Sequence, residues 1–130
     1  GSWPCGCAAM ADVIERALAL QRRAAALGFD WPDVQGVLDK LDEEREELAE
    51  ALSQSAERQR HELGDVLLTV INLARHLDVD PAAALEAANE RFRRRFAQVE
   101  AVADALPPLG DAGRLEAMER VWVKAKQRES

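Results

Sequence analysis

Apolar residues recur at helical spacing over most of the chain, and the breaks between these stretches predict four to five helices. Gly28 and the segments "GFDWPDV", "DVDP" and "LPPLGDAG" supply the Gly, Pro and Asp residues that end or begin helices. The predicted helices cover about residues 12–27, 32–53, 56–77, 81–106 and 114–128, and Asp80 is expected to cap the fourth. No stretch shows the alternation of a strand, so the pattern predicts an all-α fold.

The second predicted helix carries an apolar stripe with acidic residues at its border. The stripe consists of Val37, Leu38, Leu41, Leu48 and Leu52. At about 100° per residue, Glu44 lies about 60° and Glu47 about 120° from Leu41, with Lys40 between them. The other acids of this helix face water: Asp39, Glu43, Glu46 and Glu50. Two carboxylates at i, i+3 spacing therefore border the predicted core.

The third predicted helix is apolar over more than half of its circumference. Its narrow polar strip contains Arg58, His61, Glu62, Asp65, Thr69, Asn72 and His76. Because an unpaired buried carboxylate is unfavourable by several kcal/mol, Glu62 and Asp65 need cations nearby. The apolar arc is wider than one partner helix can cover, so the sequence predicts a helical bundle completed by homodimerisation.

Four carboxylates on two helices form a candidate metal site: Glu44, Glu47, Glu62 and Asp65. Oxygen ligands of this kind suit Mg²⁺, which commonly keeps waters and substrate phosphates in its remaining positions. The alternative is that Arg and Lys residues on neighbouring helices form salt bridges with these acids, and the residues alone leave both interpretations open. A di-iron site is disfavoured because neither His61 nor His76 follows a Glu by three residues.

Composition and charge limit the possible partners. The chain has 130 residues and a net charge of −7, which argues against a surface that binds nucleic-acid phosphates. No apolar run approaches the roughly 20 residues that span a bilayer. The sequence therefore predicts a soluble cytoplasmic protein without a nucleic-acid polymer or a membrane as partner.

The first nine residues differ in character from the remainder. Cys5 and Cys7 lie in "GSWPCGCAAM", and two thiols without partner ligands are a weak metal signal. The leading Gly-Ser resembles a protease-cleavage scar. Residues 1–9 are therefore interpreted as a vector-derived tail, and residues 10–130 as a single helical domain.

The acidic residues carry a family resemblance. "EEREE" followed by "ELGD" gives E-E-x-x-E and then E-x-x-D, with fourteen residues between Glu47 and Glu62, and this arrangement resembles the signature of the MazG family. The segments "GFDWPDVQGVLDKLDEEREEL", "ELGDVLLTVINLARHLDVDPAAALEAANERFRRRF" and "MERVWVKAK" follow the family pattern in order. Together they cover most of residues 28–126.

The resemblance implies an all-α, homodimeric nucleoside triphosphate pyrophosphohydrolase. Such an enzyme cleaves NTP or dNTP to the monophosphate and pyrophosphate with Mg²⁺, for which Mn²⁺ is a possible substitute. Its catalytic and metal-binding carboxylates would be Glu44, Glu47, Glu62 and Asp65. Glu43 belongs to the motif but points outward. Metal ions would also allow a protein of net charge −7 to hold a triphosphate.

Basic and aromatic residues would complete the substrate site. The resemblance suggests phosphate contacts from Lys40, Arg91 and Arg95, a polar role for Asn89, and stacking of Trp122 on the base. Alternatively, the arginines pair with acidic residues and Trp122 packs in a stripe with Leu115 and Met118. Phe29 and Trp31 are interpreted as a packed turn between helices, and His61 and His76 as polar-strip residues.

Other functions are compatible with the same motifs. Dimeric dUTPases and phosphoribosyl-ATP pyrophosphohydrolases share the acidic helices, and base specificity is not visible in the motifs. Some MazG proteins contain two such modules, whereas this chain contains one copy. A non-catalytic dimeric helical binding module is the alternative from a different functional class.

Overall fold

The computed structural model describes the backbone of residues 7–129 and the side chains of residues 10–129. It contains α1 (Cys7–Ala26), α2 (Val34–Ala51), α3 (Ala56–His76), α4 (Pro81–Ala101), a single 3₁₀ turn (Ala103–Ala105) and α5 (Ala112–Arg128). No strand occurs over this range, which confirms the predicted all-α class. None of the described helices is both long and apolar enough to cross a bilayer. Cys5 and the side chain of Cys7 lie outside the described part.

The helix starts follow local capping chemistry. Asp33, at the start of α2, accepts a hydrogen bond from the backbone N–H of Gly36, and Asp80, before α4, accepts one from Ala82. Side-chain acceptors at this position satisfy N–H groups that have no partner within the helix and stabilise it by about 1 kcal/mol. The predicted cap at Asp80 is confirmed, and Asp33 caps α2 in the same way.

Two helix ends use a left-handed residue to turn the chain. After α1, Gly28 has φ +88, and the N–H groups of Gly28 and Phe29 bond to the carbonyls of Ala25 and Ala24. Asp78 has φ 56 and repeats this pattern after α3. Glycine adopts such a conformation without a side-chain clash, and Asp tolerates it better than most residues. The predicted stop at Gly28 is therefore confirmed.

The fourth helix ends earlier than the sequence predicts. It stops at Ala101 rather than Leu106, and a 3₁₀ turn follows. Leu106 is extended, with φ −78 and ψ 151, because the ring of a following proline disfavours helical backbone in the residue before it. Pro107 thus accounts for the extended backbone of Leu106.

The chain divides into two compact units, one ending at residue 84 and the other beginning at residue 85. In the first unit, α2 packs along α3, and α1 also packs against α3. The buried apolar residues of this unit are Ile14, Leu18, Val37 and Ala51. In the second unit, Val99 and Ala125 are buried, and the Phe92 ring lies 5.0 Å from that of Trp122.

The buried face of α2 is rotated from the predicted stripe. Val37 and Ala51 are fully buried and Glu44 is 5% exposed, whereas Leu38 and Leu52 of the predicted stripe are exposed. This face is turned by roughly 60° toward Glu44, taking 100° per residue. Glu44 therefore lies within the buried face of α2 rather than at its border.

The orientation of α3 is the larger departure from a simple hydrophobic pattern. Glu62, in the polar strip, is buried, and Asp65, Thr69, Asn72 and His76 are partly buried. In contrast, the middle of the apolar arc is exposed, with Leu63 at 49% and Leu67 at 53%. The polar strip thus faces the other helices of the first unit, and the apolar arc faces outward.

Candidate metal and nucleotide site

Carboxylates of α2 and α3 converge in the first unit. Glu44, Glu47 and Glu62 each place an oxygen within 4.8 Å of the others, and His61, Glu62 and Asp65 form a second group by the same measure. Glu62 belongs to both groups. The structure therefore brings three of the four predicted ligands into one cluster and joins Asp65 to that cluster through Glu62.

Two of these carboxylates are buried with one oxygen left without a partner. Oε1 of Glu44 lies 3.0 Å from Nζ of Lys40, and Oε1 of Glu62 lies 2.7 Å from Nη2 of Arg58. Oε2 of each residue is buried and has no hydrogen-bond partner among the described residues. Because buried carboxylate oxygens require a compensating partner, the two Oε2 atoms fit a bound cation.

Glu47 adds to the negative charge of this cluster. The charge of Glu44 raises the pKa of Glu47, and partial burial and the neighbouring Glu62 act in the same direction. A raised pKa means that ionised Glu47 is disfavoured by its surroundings. A divalent cation among these three carboxylates would remove that repulsion.

Lys40 lies beside the acidic cluster, as the sequence predicts. It contacts Glu44 and, at 3.5 Å, Glu43. Its hydrogen bond to Glu44 raises the pKa of Lys40, so the ammonium stays charged at neutral pH. Glu43 itself is exposed, which agrees with the outward direction predicted from helix geometry.

An ion-pair network fixes the turn between α1 and α2. Oδ1 of Asp30 lies 2.6 Å from Nη2 of Arg75 and 2.9 Å from Nε2 of His76. The Arg75 guanidinium lowers the pKa of Asp30 to about 2, and the contact with His76 contributes in the same direction. The end of α3 thereby holds the segment that carries Phe29 and Trp31.

Asp30→Asn is expected to lower the free energy of unfolding at pH 7 by roughly 1–2 kcal/mol. The pKa of Asp30 is lower in the folded protein than its usual 3.8. The contribution of ionised Asp30 to the free energy of unfolding is therefore complete above about pH 4 and is lost as pH falls toward 2. Urea unfolding of both proteins across this range should show their difference shrinking. A difference that stays constant with pH would contradict this role, and Asp42→Asn, at an exposed site of α2, is the control.

A cavity of about 440 Å³ opens in the first unit among α1, the following turn, α2 and α3. Its lining includes Gln21, Phe29, Trp31, Lys40, Thr69 and Asn72. Phe29 is 83% exposed and Trp31 is 43% exposed, so this turn is less packed than the sequence interpretation states. Since Lys40 also contacts Glu44, the cavity adjoins the acidic cluster.

The second unit contains the remaining predicted substrate residues. Nη2 of Arg95 lies 2.7 Å from Oε2 of Glu129, and its guanidinium lies 5.8 Å from the centre of the Trp122 ring. Trp122 packs on Phe92 and is partly buried. Asn89 and Arg91 are exposed on α4. Arg95 and Trp122 thus lie together, each with a contact inside this unit.

The sequence does not predict that Gln21 lines the cavity. Gln21 lies on α1, and no motif surrounds it. Asn72 and Thr69 were visible as members of the polar strip, which was the one available signal for this surface. The residues of the cavity come from four segments, and only the packing of the helices brings them together.

The chain also matches a known protein family. Residues 32–100 match the family model described as the MazG nucleotide pyrophosphohydrolase domain. This range contains all four predicted carboxylate ligands and excludes Gln21 and Trp122.

Two similar proteins have names that state an activity. The nucleoside triphosphate pyrophosphohydrolase of Escherichia coli (strain K12) is 40% identical over 117 residues, which are 88% of this chain and 44% of that protein. The nucleoside triphosphate pyrophosphohydrolase/pyrophosphatase of Thermotoga maritima is 34% identical over 117 residues, 90% of this chain and 45% of that protein. The chain therefore spans less than half the length of these relatives.

Proposed function

Because the chain belongs to the MazG nucleotide pyrophosphohydrolase family, we propose that it hydrolyses nucleoside triphosphates to nucleoside monophosphate and pyrophosphate with Mg²⁺. The names of the two relatives support this activity. The reaction consumes one water, breaks the bond between the α- and β-phosphoryl groups, and releases pyrophosphate. A cytoplasmic location, as the sequence predicts, would give access to such substrates.

The pair of buried, unpartnered Oε2 atoms on Glu44 and Glu62 carries this proposal. Salt bridges satisfy only the other oxygen of each carboxylate. An acidic cluster with a purely structural role would be expected to pair both oxygens, because leaving one buried is unfavourable. Glu44, Glu47 and Glu62 would hold a divalent cation, and Asp65 would hold a further one together with Glu62.

The chain's own residues have separate tasks in this reaction. A divalent cation bound here supplies charge neutralisation for the phosphates and acidifies the attacking water. The carboxylates fix its position, and the charged Nζ of Lys40 is available to a phosphate oxygen beside Glu44. Arg91, Arg95, Asn89 and Trp122 are further proposed substrate contacts from the family resemblance. A phosphate would compete with Glu129 for Arg95.

We also propose that the chain forms a homodimer through the outward face of α3. Leu63, Leu67 and Val70 lie on this face and are about half exposed. A contiguous apolar surface of this kind typically marks a protein interface. Since the polar strip of α3 faces α1 and α2, a second copy of the chain is the partner that covers the apolar arc.

Metal-dependent release of pyrophosphate tests the proposed activity. We expect a panel of NTPs and dNTPs to yield monophosphate and pyrophosphate with Mg²⁺ or Mn²⁺, and no product with EDTA. Both products should be identified, because release of inorganic phosphate alone would indicate cleavage at a different bond. Absence of turnover across the panel with metal present would contradict the proposal and favour a binding module. A response limited to dUTP would favour narrow specificity.

A further inference from the structure

We propose that Glu129 is an internal competitor of the substrate phosphates, because its carboxylate occupies Arg95 and lowers the affinity of this arginine for any other anion. The choice of a phosphate chain as the ligand rests on the proposed function. The competing role of Glu129 comes from the contacts within the second unit. It makes the residue after α5 a determinant of how tightly the chain binds its ligand.

The Glu129 carboxylate binds Arg95 in the way that an anionic ligand would. Its Oε2 accepts hydrogen bonds from Nε and Nη2 of Arg95, at 3.0 and 2.7 Å. The exposed fractions of the Arg95 and Glu129 side chains are 17% and 28%, so water screens this pair less than a fully exposed one. A phosphate oxygen is a charged acceptor of the same kind. The carboxylate therefore uses N–H groups and positive charge that Arg95 could otherwise offer to a phosphate.

The arginines of α4 keep Glu129 ionised. The hydrogen bond from Arg95 lowers the pKa of Glu129, and the charges of Arg94 and Arg91 act in the same direction. Glu129 is also the C-cap residue of α5, where the helix dipole disfavours a negative charge. The arginines of α4, and not its own helix, thus stabilise this carboxylate. They would stabilise an anion of higher charge at the same place more strongly.

Displacement of the Glu129 carboxylate requires little rearrangement of the second unit. The Arg95 guanidinium lies 5.8 Å from the centre of the Trp122 ring, and this cation–π contact does not involve Glu129. Nη1 of Arg128 donates to Oε1 of Gln98 at 2.7 Å, which joins the end of α5 to α4 independently. A rotation of the Glu129 side chain would therefore release Arg95 while both helices stay in place.

Binding of inorganic tripolyphosphate to the full chain, without divalent metal, tests this role independently of catalysis. Glu129→Gln removes the negative charge and keeps an oxygen that can accept from Arg95, so the guanidinium retains its orientation. At low ionic strength, we expect this variant to bind tripolyphosphate about fivefold more tightly than the wild-type chain, by calorimetry or NMR titration. The gain should shrink as salt is added, because salt screens the newly available charge.

Glu90→Gln is the matched control. Glu90 also pairs with an arginine of the second unit, since its Oε1 lies 2.6 Å from Nη2 of Arg93. This replacement changes the net charge equally but leaves Arg95 paired with Glu129. It should therefore change tripolyphosphate binding far less than Glu129→Gln does. Circular dichroism must show that both variants are folded.

A double variant assigns the gain to Arg95. When Arg95→Gln is already present, the addition of Glu129→Gln should no longer tighten tripolyphosphate binding, because the arginine that the carboxylate occupies is absent. A gain of the same size in this background would overturn the proposal, since the carboxylate would then act on a different cation.

The remaining outcomes separate this role from the proposed activity. Equal or weaker binding by Glu129→Gln than by the wild-type chain would overturn the competition, even if the chain hydrolyses triphosphates. An equal gain in Glu90→Gln would overturn it too, because the gain would then reflect net charge alone. A gain limited to Glu129→Gln, including binding by this variant when the wild-type chain shows none, would support the competition even if no hydrolysis is found.

Discussion

Glu62→Gln is expected to reduce metal-dependent pyrophosphate release by at least about 100-fold. Glu62 belongs to both acidic groups, so this one change affects both proposed metal positions. A neutral amide in place of the carboxylate removes an anionic ligand and keeps nearly the same volume. The effect should therefore fall on metal binding and turnover, with little loss of helical structure.

The melting temperature of this variant, with and without Mg²⁺, provides a second measurement. Mg²⁺ should raise the melting temperature of the wild-type chain, because a ligand that binds only the folded state stabilises it. This increase should be greatly reduced in Glu62→Gln. Without metal, two effects oppose each other: repulsion with Glu47 decreases, while the charge of Arg58 loses its partner. The variant is therefore expected to stay folded.

Glu46→Gln is the matched control for this experiment. Glu46 lies on the same acidic helix, α2, but is exposed and belongs to neither acidic group. Its replacement changes the net charge equally and should leave turnover and the metal-induced stabilisation unchanged. Equal loss of turnover in both variants would indicate a general effect of charge. Full turnover in Glu62→Gln would show that the metal site lies elsewhere.

Leu67→Glu is expected to convert a dimer of the wild-type chain into monomers at micromolar concentration. Leu67 lies at the centre of the outward apolar arc and is 53% exposed within one chain. A carboxylate in an apolar interface would lose its hydration without gaining a partner, which is unfavourable by several kcal/mol. Sedimentation velocity at several concentrations measures the change directly.

A second exposed leucine provides the control for the interface. Leu27 is 89% exposed at the end of α1, and Leu27→Glu should leave the dimer intact. A wild-type chain that sediments as a well-folded monomer at micromolar concentration would refute the proposed dimer. Dimers of unchanged stability in Leu67→Glu would place the interface on another surface.

Helix positions were largely predictable because their signals are local. Gly28 and Asp80 act through backbone conformation and hydrogen bonds within a few residues, so the sequence alone predicts their effects. The end of α4 was placed too late because the stretch up to Leu106 still reads as helical. Pro107 accounts for the extended backbone of Leu106 but not for the end of the helix at Ala101.

The acidic cluster was predictable for a related reason. Residues at i, i+3 spacing share a helix face wherever the helix packs, so Glu44 with Glu47 and Glu62 with Asp65 were each expected to lie together. That these pairs meet across two helices required the family resemblance at the sequence level. The structure groups Glu62 with Glu44 and Glu47, and groups Asp65 with His61 and Glu62.

By itself, the sequence determined which segments are helical and which acids share a face, because these properties depend on neighbours along the chain. It also located most helix ends, although α1 begins earlier and α4 ends earlier than predicted. Only the tertiary structure decided that α2 buries Glu44, that α3 turns its polar strip inward, and that Gln21 joins Asn72 in one cavity. A helix with apolar residues over more than half of its surface has several ways to pack. The choice among them depends on contacts with α1 and α2, which no local pattern contains.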